Sequence, residues 1–172
     1  AEILLAAGLD PTVIVGAQPQ APRPGDSCGR PTSGGYAGGG DLVLVEACEF
    51  RRNFLHLKPR YAAILAIEHD HFDCFPDFDQ LESAFAQFAA NTSPDGLVLA
   101  WGGSFATLRA TDGLRCRRET FGCGIECDWR AVDLSEQGGC YRFRIVRQGI
   151  DFGTVQLSVP GRHNVFNALA AA

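Results

Sequence analysis

Lysine is almost missing from this sequence. Fourteen of its fifteen basic residues are arginine, and Lys58 is the single lysine among 172 residues. Chemistry that needs an ammonium group must use Lys58 or draw on a residue outside the chain. Long apolar runs are missing as well: no stretch approaches the roughly 20 residues that cross a bilayer, so no membrane partner is expected. The apolar opening AEILLAAGL has no basic region before it. Gly8 and Asp10-Pro11 close it, so it reads as a helix and not as a secretion signal. A regular framework of paired thiols is absent too. The seven cysteines, at 28, 48, 74, 116, 123, 127 and 140, form an odd and irregular set suited to a reducing compartment, and the expected location is the cytoplasm. A net charge of −5 argues against a nucleic-acid backbone as partner. No Gly-x-x-x-x-Gly-Lys-Ser/Thr phosphate loop is present. The nearest stretch, GGYAGGG at 34–40, runs into a strand and not a helix, so its amides do not converge on a phosphate.

What is present is a chain of one-domain length with 46% hydrophobic and 20% charged residues. Four short, continuous apolar runs lie at 13–15, 42–45, 62–67 and 97–101. Continuous hydrophobicity suits strands buried on both faces, as in a parallel sheet covered by helices. The clearest helix spans 78–90, where Phe78, Leu81, Phe85 and Phe88 share a stripe, with Asp77 as N-cap and Gln80 completing a capping box. From 115 to 159 the pattern changes to period two. Tyr141, Phe143 and Ile145 alternate with arginines, and Val155, Leu157 and Val159 alternate with polar residues, around a Gln148-Gly149 turn. The expected architecture is α/β: a mostly parallel sheet flanked by helices, with a small antiparallel sheet attached. A helix follows Pro160-Gly161, over 164–172. The segment 18–40, rich in Gly, Pro and Ser, reads as a loop.

Open parallel sheets bind ligands at the C-terminal ends of their strands. The run 42–45 delivers Glu46, then Cys48 and Glu49; the run 62–67 delivers Glu68, His69, Asp70, His71 and Asp73. Carboxylates and imidazoles at one sheet edge either hold a divalent cation that neutralises phosphate charge or form a solvated acidic rim. A right-handed crossover would bring Glu46 and His71 to the same edge. Asn164 and Asn167, three apart, share one face of a helix. They are either a cap and a surface residue or a pair of amides that reads a ring with donor and acceptor edges. Cys123 and Cys127, in CGIEC, have loose spacing with no second pair and read as chance thiols at a turn and not a zinc site.

Three strings in order, VEACEFRRNFLHLKPR, IEHDHFD and PGRHNVFNALAA, resemble the Mur ligase family, most closely its alanine-adding members. The opening AEILLAAGLDPTVIVG resembles the helix and strand that follow the family's phosphate loop, and TFG at 120–122 also falls in family order. The resemblance implies a P-loop-type central, ATP-binding domain. Its phosphate loop would lie before Ala1 and its further catalytic residues after Ala172, with N- and C-terminal domains of the same parent chain as partners. It implies peptidoglycan synthesis: the carboxylate of UDP-N-acetylmuramate is activated by ATP to an acyl phosphate, which the amine of L-alanine displaces, with Mg2+ bridging phosphates and acyl oxygen. Carried over position by position, Glu46 matches a magnesium-binding glutamate and His71 a histidine at a second metal. Asn164 and Asn167 match the amide pair beside the nucleotide, with His163 contacting base or ribose.

The chain departs from the family at two places. Ala66 and His69 stand where NIEPDH has Asn and Pro, and Trp101-Gly102-Gly103-Ser104 stands where the family has NADD. Those departures leave two alternatives open: a non-catalytic nucleotide-binding or scaffold paralogue, and a ligase that adds a tripeptide in cell-wall recycling.

Overall fold

β-Branched and aliphatic runs set short strands here, and glycines set the turns that return them. The computed structural model describes residues 1–16, 34–68 and 74–172 and divides into two units, Ala1–Cys48 and Glu49–Ala172. In the first unit, helix α1 (Glu2–Ala6) stops at Gly8, which adopts φ +73°. Strand β1 (Thr12–Ile14) pairs antiparallel with β2 (Gly35–Tyr36) and parallel with β3 (Val43–Val45), in the order β2-β1-β3. The stretch GGYAGGG, weighed above as a phosphate cradle, has another use. A Cβ on Gly38 would sit 2.2 Å from the Asp10 carbonyl oxygen, and one on Gly40 2.1 Å from that of Leu9. The Gly40 and Gly39 amides donate to the Asp10 carbonyl (2.9 Å) and carboxylate (2.7 Å). These glycines let one backbone lie directly on another.

The second unit carries a six-stranded sheet, β4 (Tyr61–Ile64), β5 (Leu97–Trp101), β6 (Arg117–Gly122), β7 (Trp129–Gln137), β8 (Cys140–Arg147) and β9 (Ile150–Pro160), in sequence order. Strands β4 to β7 are parallel to one another, while β8 and β9 run antiparallel. Helix α2 (Phe78–Ala90) crosses from β4 to β5, and α3 (Phe105–Ala110) from β5 to β6. The Asp77 side chain accepts from the Gln80 amide at 2.8 Å, as the capping pattern requires. On one face, Leu81, Ala84 and Phe88 of α2 pack on Ile64 and Val98, with Phe54 stacked on Phe88 at 5.1 Å. On the other, Val165 and Leu169 of α4 (His163–Ala171) pack on Phe121, Phe143 and Ile145.

One expectation needs correction. The four apolar runs do not share a sheet: β1 and β3 are parallel in one sheet, β4 and β5 in the other, so β3 and β4 are not the adjacent pair expected to bring Glu46 and His71 to one edge. The antiparallel strands expected after residue 115 are attached to the parallel ones. β6 and β7 extend the parallel half, and the hairpin continues the same sheet. β6 (RRETFG) escaped notice because its buried positions include Glu119, which breaks the apolar run. The hairpin turn itself is as expected, with Gln148 and Gly149 at φ +48° and +83°.

The junction between the two halves is narrow, since β6 and β7 pair only at Phe121↔Trp129 and Gly122↔Arg130. Side chains supply what the ladder lacks. Glu119, 6% exposed, accepts from the Trp129 indole N–H (2.6 Å) and the Arg147 guanidinium (2.6 Å), with Arg117 at 3.2 Å. Arg147 also lies over the Trp129 ring at 4.9 Å. One buried carboxylate thus ties β6, β7 and β8. Removing it leaves a half-buried guanidinium and indole N–H without that partner. Glu119→Ala should lower unfolding free energy by about 2 kcal/mol in urea titration; a loss below about 0.5 kcal/mol would show the network to be dispensable.

Candidate functional site

Glu46 follows β3 directly, and its amide extends the ladder by donating to the Ile14 carbonyl at 2.8 Å. Its carboxylate Oε2 accepts from the Gly16 amide at 2.7 Å. Because β1 and β3 are parallel, Gly16 and Glu46 mark the same C-terminal strand edge. The carboxylate is exposed there and offers the hard oxygen that magnesium prefers. Among the described residues no three His, Cys, Asp or Glu side chains cluster as a metal cage. Magnesium is usually held by one or two carboxylates together with substrate phosphates, and a lone edge carboxylate fits that mode. His71 falls at 69–73 with His69, Asp70 and Asp73, outside the described residues.

The other expected residues gather at the start of α4. Gly161 has φ +104°, and a Cβ on it would come 2.5 Å from the His163 ring, which folds back over it. Its amide donates to the Gly139 carbonyl at 2.9 Å, tying the helix entrance to the β7–β8 turn. Asn164 is not the helix cap; that position belongs to Arg162, which makes no side-chain cap bond. Instead the Asn164 amide donates to the Pro160 carbonyl (2.8 Å), and the Asn167 amide donates to the Asn164 carboxamide oxygen (3.3 Å). The two carboxamides form a braced pair, with Asn167 and His163 exposed beside it.

Sequence reasoning missed a cavity of about 450 Å³ next to this helix, lined by Trp101, Gly103, Cys123, Glu126, Arg162 and Phe166. It sits beyond the C-terminal ends of β5 and β6. The strand-end rule applied to 97–101 points to Trp101; nothing in the sequence announces Glu126 or Arg162. Loop 123–128 shapes the far wall. Asp128 accepts from the Thr120 amide and hydroxyl at 2.8 and 2.9 Å, closing the loop on itself. Cys127 is buried, filling the space beside Gly102 and Gly122, where added Cβ atoms would meet its sulfur at 2.5 and 3.1 Å. Burial pushes its thiol pKa up, and the Glu126 charge adds to that. The CGIEC thiols are free, and Cys127 is a packing residue.

The second unit, a mixed sheet with crossover helices, is of the α/β class, with the braced amide pair on its last helix; the strand-edge carboxylate Glu46 belongs to the first unit. The profile of the Mur ligase middle domain matches residues 37–172. The chain is 36% identical over 170 residues to a UDP-N-acetylmuramate–L-alanine ligase of Caldanaerobacter subterraneus subsp. tengcongensis, covering 98% of this chain and 35% of that protein. It is 35% identical to the enzyme of the same name from Desulfitobacterium hafniense, again over 98% of this chain and 35% of the relative. Among solved structures, the UDP-N-acetylmuramate–alanine ligase of Thermotoga maritima superposes with a TM-score of 0.75 at 25% identity, over 98% of this chain and 35% of that one. A UDP-N-acetylmuramate:L-alanyl-γ-D-glutamyl-meso-diaminopimelate ligase from Neisseria meningitides gives 0.74 at 25% identity, over 98% and 53%. The chain belongs to the Mur ligase middle domain family. It spans about a third of the length of these curated relatives. No helix among the described residues is long and apolar enough to cross a membrane.

Gly161 carries the local geometry of α4. Gly161→Ala places a side chain at φ +104° and against the His163 ring, which should cost about 2 kcal/mol in thermal or urea unfolding. An unchanged stability would mean that the helix entrance relaxes freely.

Proposed function

We propose that this chain is the central, ATP-binding part of a longer ligase that joins L-alanine to the carboxylate of UDP-N-acetylmuramate in peptidoglycan synthesis. The observation that carries the reading is Glu46: it lies in the string VEACEF, at a parallel-strand edge, held by the Gly16 amide. The curated relatives that bear this activity in their names support the choice of substrates. In the reaction, a muramate carboxylate oxygen bonds to the γ-phosphorus of ATP as the bond to the β–γ bridging oxygen breaks, releasing ADP. The alanine nitrogen then bonds to the acyl carbon, the C–O bond to phosphate breaks, and the amine loses a proton. Mg2+, when bound, would neutralise phosphate charge. Glu46 would hold it, with His71 at a second ion. Asn164, Asn167 and His163 would contact the base and ribose, the brace from Pro160 fixing the amides before the nucleotide arrives. We place such an enzyme in the cytoplasm.

A second reading keeps the chemistry and changes the amine to a tripeptide, as the name of the Neisseria ligase describes for that protein; its TM-score of 0.74 at 25% identity supports keeping this alternative. Both readings share the same tests.

In the full-length protein, Glu46→Ala should abolish acyl-phosphate formation with the fold intact, because an exposed edge carboxylate contributes little packing. His71→Ala should lower turnover, with only partial rescue by added magnesium. Near-normal turnover in Glu46→Ala would overturn the mechanism. The 172-residue chain alone should bind Mg-ATP weakly, since it lacks the amides and lysine of a phosphate loop; calorimetry giving micromolar affinity would contradict this.

A further inference from the structure

The cavity beside α4 is built by absences of side chains as much as by their presence. The Trp101 indole folds over Gly103, where a Cβ would come within 2.6 Å of its ring atoms. The Glu126 carboxylate folds over Gly124 in the same way, 2.2 Å from an added Cβ. With Gly103 and Gly124 bare, both groups lie down along the cavity wall and do not block it. Trp101 meets Phe166 of α4 with ring centroids 5.4 Å apart and planes tilted 47°, which makes an aromatic corner. Arg162, the first residue of the helix entrance, and Glu126 add one cation and one anion to the lining. Among the described residues neither of the two has an ion-pair partner.

An aromatic corner with a separate donor and a separate acceptor suits a flat heteroaromatic ring that has both an amine and a ring nitrogen on its edges. Stacking supplies affinity without strict selection, since every such ring has a π-face. The carboxylate accepts from an exocyclic amine, and the guanidinium donates to a ring nitrogen. A volume of about 450 Å³ admits a purine with its sugar.

We infer that Trp101 is a specificity-determining residue: its indole, with Phe166, is the stacking platform for the purine ring of the nucleotide, and Glu126 and Arg162 read that ring's edges. The inference rests on the nucleotide-binding reading above and adds a residue to it.

The test uses the whole chain, with saturation-transfer NMR to read weak complexes and adenosine, Mg-tripolyphosphate and Mg-ATP as separate probes. Alkylation of Cys123, which lines the cavity, is followed in parallel, with the exposed Cys48 as internal control. Two variants separate ring from bulk: Trp101→Phe keeps an aromatic face, and Trp101→Leu keeps apolar volume without one. Adenosine should slow alkylation of Cys123 and not of Cys48. Trp101→Leu should weaken adenosine about tenfold or more, Trp101→Phe should stay within a few-fold of the parent, and tripolyphosphate binding should be unchanged in both. If Mg-ATP binds but Trp101→Leu holds adenosine as well as the parent does, or Phe and Leu lose equally, the platform is wrong and the nucleotide reading stands. If Mg-ATP binds the parent chain while adenosine does not, the platform is wrong and the nucleotide reading stands.

Discussion

A single buried carboxylate bridges the narrowest joint in the six-stranded sheet of the second unit. Parallel and antiparallel halves meet where β6 and β7 share only two residue pairs, too short a ladder to hold two half-sheets in register. Glu119 closes the gap with bonds to Trp129 on β7 and Arg147 on β8. Burying a charge is costly unless its oxygens are matched, and here an indole N–H and two guanidinium groups match them. Loop 123–128 repeats the device at smaller scale, with Asp128 bonded to the Thr120 amide and hydroxyl.

That junction has a functional consequence. Helix α4 packs on Phe121, Ala131, Phe143 and Ile145, residues from both sides of it. The helix entrance is tied to the β7–β8 turn through Gly161 and Gly139. The cavity shares that helix: its walls are the end of β5, loop 123–128 and, from α4, Arg162 and Phe166. The packing of α4 across the junction therefore sets both the amide pair and one cavity wall.

Much of this was legible in the sequence. The continuous runs at 13–15, 42–45 and 97–101 coincide with strands that have parallel neighbours, but β1 and β3 are not buried on both faces, since Ile14, Leu42 and Val43 are exposed. Asp77 and Gln80 announced the start of α2, and Gln148-Gly149 the hairpin turn. The place of Glu46 at a strand end was legible because a carboxylate stands out after an apolar run. What stayed hidden depends on distant pairing. β6 reads as polar until Arg147, 28 residues on, neutralises Glu119. The division of the apolar runs between two sheets has no local signature. Nor does the cavity, since its walls come from β5, loop 123–128 and α4, which are separated in sequence and joined only by the sheet.

The central claim is that the longer protein makes an acyl phosphate from a sugar-linked carboxylate and ATP. Transfer of a heavy-oxygen label tests it most directly. UDP-N-acetylmuramate labelled in both carboxylate oxygens is turned over with ATP and L-alanine, and the released inorganic phosphate is weighed by mass spectrometry. If the carboxylate attacks the γ-phosphorus, each phosphate carries a single labelled oxygen and the amide product retains the other. Phosphate released without label would mean that water or the amine is phosphorylated instead, and would contradict the account.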